Sequence, residues 1–393
     1  MKILMINVVC GIRSTGRICT DLATALENQG HEVKIAYGRE DVPKQFEKYA
    51  VRIGRDLDVK FHGIRTRLFD EAGFGSGNAT KRFVEWVKIY DPDVIHLHNL
   101  HGYYINVKIL FEYLKKCQKT IIWTLHDCWS FTGHCVYFDY VNCNKWKKEC
   151  NHCPQKKEYP TRIGPDFSRR NYYLKKKLFS NIPKLTLVTP SQWLADLVSD
   201  SFIKEYPIKV IHNGVDTKIF QSTDSNLRSK YKLGNKKVVL GVASVWDQRK
   251  GLECFIKLAE KLDQRQYQIV LVGLSQDQIK ILPRQIVGIM RTNSTKELAA
   301  LYTLAYVFVN PTFEDNYPTT NIEAIACGTP VITFDTGGST ESAEMYGLSV
   351  EKGNIDELVS ALGQIEGISP KYIDVDSRNS IQKYLKLYGE LQE

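Results

Sequence analysis

The stretch Pro311-Thr312-Phe313-Glu314-Asp315-Asn316-Tyr317-Pro318-Thr319-Thr320-Asn321-Ile322-Glu323-Ala324 decides the fold class. In front of it stands a short apolar run, Val307–Asn310, which reads as a strand. Pro318 suits the opening of a helix, where a missing N–H costs nothing, so a helix is expected over Thr319–Ala326. Gly328 closes that helix, and Pro330 leads into a second strand at Val331–Phe334. Strand, helix and strand in this order make a parallel pair, because parallel strands need a crossover.

The same alternation runs outward in both directions. Strands are expected near Ile3–Val9, Val33–Tyr37, Asp93–Leu97, Thr120–Leu125 and Leu185–Thr189, with helices at Arg17–Asn28, Ala79–Tyr90 and Asn106–Cys117. A second series has strands at Lys209–His212, Lys237–Val245, Gln268–Val272 and Ile286–Arg291, and helices at Leu252–Leu262 and Thr295–Leu304. The class is therefore α/β, with two successive doubly wound Rossmann-like sheets. The expected domains are 1–185, with a Cys-rich insert at about 127–160, then 186–376, then a C-terminal helix over 377–393 packing back on the first domain.

A length of 393 residues suits two such domains of roughly 200 residues each. Hydrophobic residues at 43% and charged residues at 25% are ordinary globular values, which argues against disorder. The apolar runs Val238–Val245 and Ile269–Gly273 fall far short of the about 20 residues that span a bilayer. Met1–Ile6 reads as a strand rather than a signal peptide, so a cytoplasmic location is expected, with most of the ten cysteines as thiols.

The net charge of +9 is concentrated: residues 141–180 hold eleven Lys and Arg against three acids. Such a basic, aromatic-rich stretch suits an anionic membrane surface or a phosphate-bearing acceptor; a solvated helix of alternating charge is the plainer reading of 169–177. With no helix-turn-helix, finger or RNP pattern, nucleic acid is not an expected partner.

The chemistry begins at the quoted stretch. The first amides of the helix at Thr319 and Thr320, with the helix dipole, suit a diphosphate. Asp315 and Glu323 offer carboxylates to sugar and ribose hydroxyls; a capping acid and a surface Glu are the bland alternative.

These residues resemble the E-x7-E region of the retaining glycosyltransferase family four. The resemblance implies the GT-B fold of two facing Rossmann-like domains, with a first acid on the donor sugar and a second on the nucleotide ribose. The second is Glu323; the first is Asp315 or its neighbour Glu314, since Asp stands where the family has Glu. Val242–Gly251 is similar to the family's basic phosphate loop, with Lys250 facing the leaving diphosphate and Arg249 standing in for an Arg that is here Val245. Ile211-His212-Asn213-Gly214 resembles the start of the donor domain, giving Asn213 a donor role. Thr336-Gly337-Gly338 resembles a tight loop near the donor, and Ile289–Thr292, with Met290 and Arg291, the edge meeting the base. Cys10–Arg17 resembles the N-terminal glycine loop, with Gly16 letting the donor or the acceptor approach. His126, at the end of a strand, takes the family's place near the donor sugar. The catalytic set implied is His126, Lys250 and Asp315, with Pro318, Thr319 and Thr320 at the donor.

His96-Leu97-His98-Asn99-Leu100-His101-Gly102-Tyr103-Tyr104 puts His96 and His98 on one strand face, a spacing a metal can use. GT-B transfer needs no catalytic metal, so His98, His101, Tyr103 and Tyr104 are read as acceptor-binding. Asp70–Asn78, rich in glycine, is either an acceptor-side loop or a plain surface loop. Cys135, Cys143, Cys150 and Cys153 follow a C-x7-C-x6-C-x2-C pattern that leaves structural zinc, free thiols and disulfides open.

Together the motifs imply transfer of a hexose-type sugar from a UDP-sugar, or a GDP-sugar, to a glycan or polyprenyl-linked oligosaccharide. The likeness is to capsule and exopolysaccharide enzymes, at the inner face of the cell membrane. A nucleotide-sugar epimerase of the same fold and a noncatalytic anion or nucleic-acid binder are the rival readings.

Overall fold

The computed structural model describes residues 1–391. It divides into two compact units, one formed by Met1–Ile211 with the C-terminal stretch from Ile381, the other by His212–Ser380.

Among the described residues the first unit holds a seven-stranded sheet of β1 (Lys2–Ile6), β2 (Glu32–Tyr37), β3 (Ala50–Arg52), β4 (Val94–Leu97), β5 (Thr120–Thr124), β6 (Leu185–Thr189) and β7 (Ile208–Val210). The order is β3-β2-β1-β4-β5-β6-β7, with every pair parallel. Strands β4, β5 and β6 are buried along their whole length, as continuous apolar runs covered on both faces should be. The helix Arg13–Asn28 packs Cys19, Leu22, Ala23 and Leu26 inward against Ile3 and Met5 of β1, a spacing of three and four that lays one helical face on the sheet.

The second unit holds a six-stranded parallel sheet of β8 (Lys237–Val242), β9 (Tyr267–Val272), β10 (Ile286–Ile289), β11 (Val307–Asn310), β12 (Val331–Phe334) and β13 (Gly347–Val350), in the order β10-β9-β8-β11-β12-β13. Both orders reverse once, between β1 and β4 and between β8 and β11. In open α/β sheets the crevice outside the carboxyl ends of the strands at such a reversal is where ligands bind. The two expected Rossmann-like sheets are thus present.

Two expectations are corrected. The change of unit comes after Ile211, not at 185/186, because β6 and β7 pair with each other as the last strands of the first sheet. Lys209–His212 therefore closes the first sheet instead of opening the second. The C-terminal helix, Ser377–Glu390, starts in the second unit and from Ile381 belongs to the first. Its Tyr384, Leu387 and Tyr388 are buried beside Val94, Ile122 and Val188. Residues 392 and 393, the end of the expected 377–393 helix, lie outside the described residues.

Candidate functional site

In the second unit the reversal brings two loops together. The loop after β8 carries Arg249 and Lys250, and the loop after β11 carries Glu314 and Asp315. Lys250 forms an ion pair with Asp315, both side chains mostly enclosed. The Arg249 guanidinium donates to the Glu314 carbonyl at 3.0 Å, and the Phe313 amide donates to the Arg249 carbonyl at 2.8 Å. Glycine makes this approach possible. Gly251 has φ +74°, and a Cβ there would stand 2.2 Å from the Pro311 carbonyl. Gly337 has φ +55°, and its Cβ would stand 1.9 Å from the Asp315 carbonyl.

The helix Thr319–Ala326 opens after Pro318 with no side-chain cap, which leaves its first amides and dipole to an anion. Glu323 is buried on this helix and accepts a hydrogen bond from the Tyr302 hydroxyl at 3.0 Å. Asn321 fixes the helix from inside, donating to Ser342 Oγ at 2.8 Å and accepting from the Asn310 amide at 2.8 Å. Sequence reasoning passed over Asn310, Asn321 and Ser342, because a buried polar group within an apolar face leaves no periodic mark. Asn213 reaches the Tyr317 carbonyl at 3.5 Å, and His212 stacks on the Tyr317 ring with centroids 4.8 Å apart. Met290 and Arg291 follow β10 and are exposed. The second unit thus gathers Lys250, Asp315, Arg249 and Glu314 in direct contact.

In the first unit the polar groups collect after β4 and β5. His98 and His126 share a hydrogen bond of 3.0 Å with their rings stacked. His96 lies beside them, bonded to Thr124 at 2.8 Å and to the Tyr388 hydroxyl at 2.7 Å. Burial pulls the His96 imidazole down to about 3, helped by the charge of His126. Burial likewise takes His126 down to about 4 against the pull of Asp127, and holds His98 well below its ordinary range. All three are neutral near pH 7, fit to donate or accept a hydrogen bond but not to carry charge.

His101 bonds Asp127 at 2.7 Å and the Tyr159 hydroxyl at 3.1 Å. Burial would raise the Asp127 carboxyl, but the charge and hydrogen bond of His101 hold it low. Tyr103, at φ +70°, packs on Tyr159 and under the Arg39 guanidinium. Asp127 follows His126 directly in sequence, whereas Tyr159 and Arg39 join this group from distant parts of the chain, with no signal in the spacing.

Two of the four expected acceptor residues lie deeper than the others. Tyr104 is buried, with its hydroxyl donated to the Asn99 carbonyl at 2.8 Å, so it is a core residue. His98 lies under His126 and is buried too. His101 and Tyr103 remain together. Gly16 sits inside the helix Arg13–Asn28, its carbonyl accepting from the Gly11 amide at 3.1 Å and closing the loop after β1. The Asp70–Asn78 loop is tied down, with Asp70 buried and the Val107 amide donating to the Gly73 carbonyl at 2.7 Å.

Cys135, Cys143, Cys150 and Cys153 line one small cavity with His134, Phe138 and Trp146. None of the ten cysteines is joined in a disulfide. The Cys135 thiol donates toward Cys153, which raises Cys135 and lowers Cys153. The Gly133 amide donates to the Cys150 sulfur at 3.2 Å, and His134 pairs with the buried Asp70. Among the described residues no three His, Cys, Asp or Glu side chains stand arranged as a metal-ligand set. No helix among them is long and apolar enough to cross a membrane.

Comparison with known proteins agrees with both units. The model described as glycosyltransferase family 4 matches residues 15–219, and that described as glycosyl transferases group 1 matches residues 236–366. The WcaC protein of Escherichia coli (strain K12), assigned as a colanic acid biosynthesis glycosyl transferase, is 29% identical over 228 residues, 55% of this chain and 55% of its own. An MMP alpha-(1->4)-mannosyltransferase of Mycolicibacterium hassiacum is 26% identical over 205 residues, 49% of this chain and 47% of its own. The chain thus spans about half the length of these relatives. Among solved structures, a sucrose-phosphate synthase of Thermosynechococcus elongatus superposes with a TM-score of 0.69 at 18% identity, covering 99% of this chain and 98% of that one. Anabaena Alr3699/HepE in complex with UDP superposes with a TM-score of 0.67 at 15% identity, covering 99% of this chain and all of that one (100%). With its two parallel sheets of GT-B type, the chain belongs to glycosyltransferase family 4.

Proposed function

We propose that the chain is a retaining transferase, moving a hexose-type sugar from a nucleotide diphosphate to a glycan or polyprenyl-linked oligosaccharide in surface polysaccharide biosynthesis. The observation that carries this reading is the pairing of Lys250 with Asp315 at the strand reversal of the second unit, beside an uncapped helix start. A departing diphosphate gains negative charge, and a fixed cation with helix-end amides offsets it. Lys250 is held in place by Asp315 until the donor arrives. The diphosphate then takes the cation, and the Asp315 carboxylate turns to the sugar hydroxyls. Glu323, oriented by Tyr302, takes the ribose. In the first unit neutral His126 is a hydrogen-bonding group for a sugar, and His101 and Tyr103 take the acceptor. The acceptor hydroxyl attacks on the face the nucleotide leaves, which retains configuration without a nucleophilic side chain.

The donor class is a UDP-sugar, with a GDP-sugar as alternative; the structures of the HepE protein with UDP and with UDP-glucose support it. The colanic acid assignment of WcaC supports a surface polysaccharide as product. A lipid-linked acceptor places the enzyme at the inner face of the membrane. For the cysteine loop we propose one structural zinc, which the four thiols lining its cavity would hold, although they do not stand as a ligand set in this structure. Metal analysis of protein purified without chelator should then find one zinc per chain, lost in Cys150→Ser; a zinc-free, fully folded protein overturns it.

A thermal-shift panel of UDP, GDP, dTDP and NAD tests the donor site. One nucleoside diphosphate should stabilise the protein selectively, by about 2.7 kcal/mol at a hundredfold excess over Kd. The shift should vanish in Lys250→Ala and in Glu323→Ala. No response to any nucleotide, or equal responses in the variants, would sink the assignment.

A further inference from the structure

We infer that the helix Asp56–Phe69, with the segment 156–170 at its C-terminal end, is the surface by which this chain docks on an anionic lipid bilayer. The helix is buried on the side of His62, Gly63 and Thr66. Its opposite side carries Leu57, Phe61, Ile64 and Leu68, each between 41% and 65% exposed. At 3.6 residues per turn these four fall within an arc of about 60°, a continuous apolar stripe facing solvent. Lys60 and Arg67 flank the stripe on one side and Arg65 on the other, all exposed.

The stripe continues beyond the helix. The Ile163 and Gly164 amides donate to the Arg67 carbonyl at 2.9 and 3.0 Å, which sets Ile163, 76% exposed, beside its end. Arg170 donates to the Phe69 carbonyl at 3.0 Å and lies over the Phe167 ring. Exposed Lys156, Lys157 and Arg169 belong to the same segment. The basic stretch 141–180 is therefore not uniformly a surface, since Arg162 and Lys175 turn inward, but its exposed part adjoins an apolar row.

A row of large apolar side chains bordered by long cations is the pattern of a helix lying in the bilayer interface, with the cations reaching up to headgroup phosphates. Charge selects the occupant. Two copies pairing through this face would bring the basic borders together, whereas anionic lipid neutralises them. Soluble monomers rarely leave such a contiguous row uncovered. The inference rests on the proposed function only in placing the enzyme at a membrane, and its test needs no sugar transfer.

Flotation with phosphatidylcholine vesicles, with and without phosphatidylglycerol, decides it. At low salt the protein should float with the phosphatidylglycerol vesicles and stay behind with pure phosphatidylcholine. Phe61→Ser/Ile64→Ser and Lys60→Glu/Arg67→Glu should each weaken that binding by about tenfold or more, with melting temperatures unchanged. A wild-type protein that stays in solution, or variants that float equally well, would overturn the inference. So would a concentration-dependent dimer lost in the same variants, which would make a second copy the occupant. Flotation without any nucleotide response would keep the docking surface and remove the transfer reading; the converse result would do the opposite.

Discussion

His96, His98 and His126 are stacked as three neutral imidazoles, and their burial couples stability to pH. In an unfolded chain each would titrate near about 6.5, whereas the folded His96 and His126 titrate at about 3 and about 4. Between those limits the unfolded chain binds more protons, so stability is present above the unfolded value and is lost as pH falls through the window. Buried His96 alone gives a slope of up to about 1.4 kcal/mol per pH unit. Urea midpoints measured on either side of neutrality should fall steeply toward acid, with a shallower slope in His96→Gln. A flat profile down to the folded values would show that these imidazoles are charged in the native protein. At this scale the placement of Lys250, Glu314 and Asp315 on loops after strands and of Glu323 on a helix was legible, because a strand end, a Pro and a helix start fix where the chain turns. Tyr104 was not, since adjacent tyrosines in one loop carry no mark of which of them turns inward.

Strands and crossover helices could be read from apolar runs, and eleven of the thirteen strands in the two sheets overlap an expected one. β3, three residues long, and β13, which opens on glycine, are too short or too polar to announce themselves. β1 was expected to reach Val9 but ends at Ile6, where the buried Asn7 amide turns to the Val9 carbonyl at 2.8 Å. The helix Asp56–Phe69 escaped for a more telling reason. Its buried face is His62, Gly63 and Thr66 and its exposed face is Leu, Phe and Ile, so an amphipathic pattern taken in the usual sense is inside out. The helix Ser168–Phe179 shows a milder version. It is basic throughout, yet Lys175 is buried, its ammonium donating to the carbonyls of Trp129 and Thr132 at 2.7 and 3.0 Å.

Across the whole molecule the two-sheet plan was legible from the alternation of elements, while the point of division was not. Nothing in a β-branched run tells which sheet it will join, and β7 went to the first by pairing with β6. The return of the C-terminal helix makes the first unit discontinuous in sequence. A chain ending at residue 376 should therefore lose the Tyr384 and Tyr388 hydrogen bonds to Thr124 and His96, along with two large buried rings. Removing two aromatic side chains from a core costs several kcal/mol, about 3–5 for each. The truncated protein should melt well below the full chain, with greater hydrogen-exchange loss in β4 and β5 than in β8 and β11. Equal protection of the first sheet in both proteins would show that the returning helix adds nothing to its core.

The same return sets a timetable. On a ribosome β1 to β7 emerge before the second unit, yet the tyrosines that fill the space beside His96 and Thr124 emerge only after the whole second unit has been made. Units generally fold in order of synthesis, but here the first cannot close until the stretch from Ile381 has been made. In the interval its central histidines lack the Tyr384 and Tyr388 rings that cover them, and the chain is more exposed to proteases and to aggregation until those rings arrive.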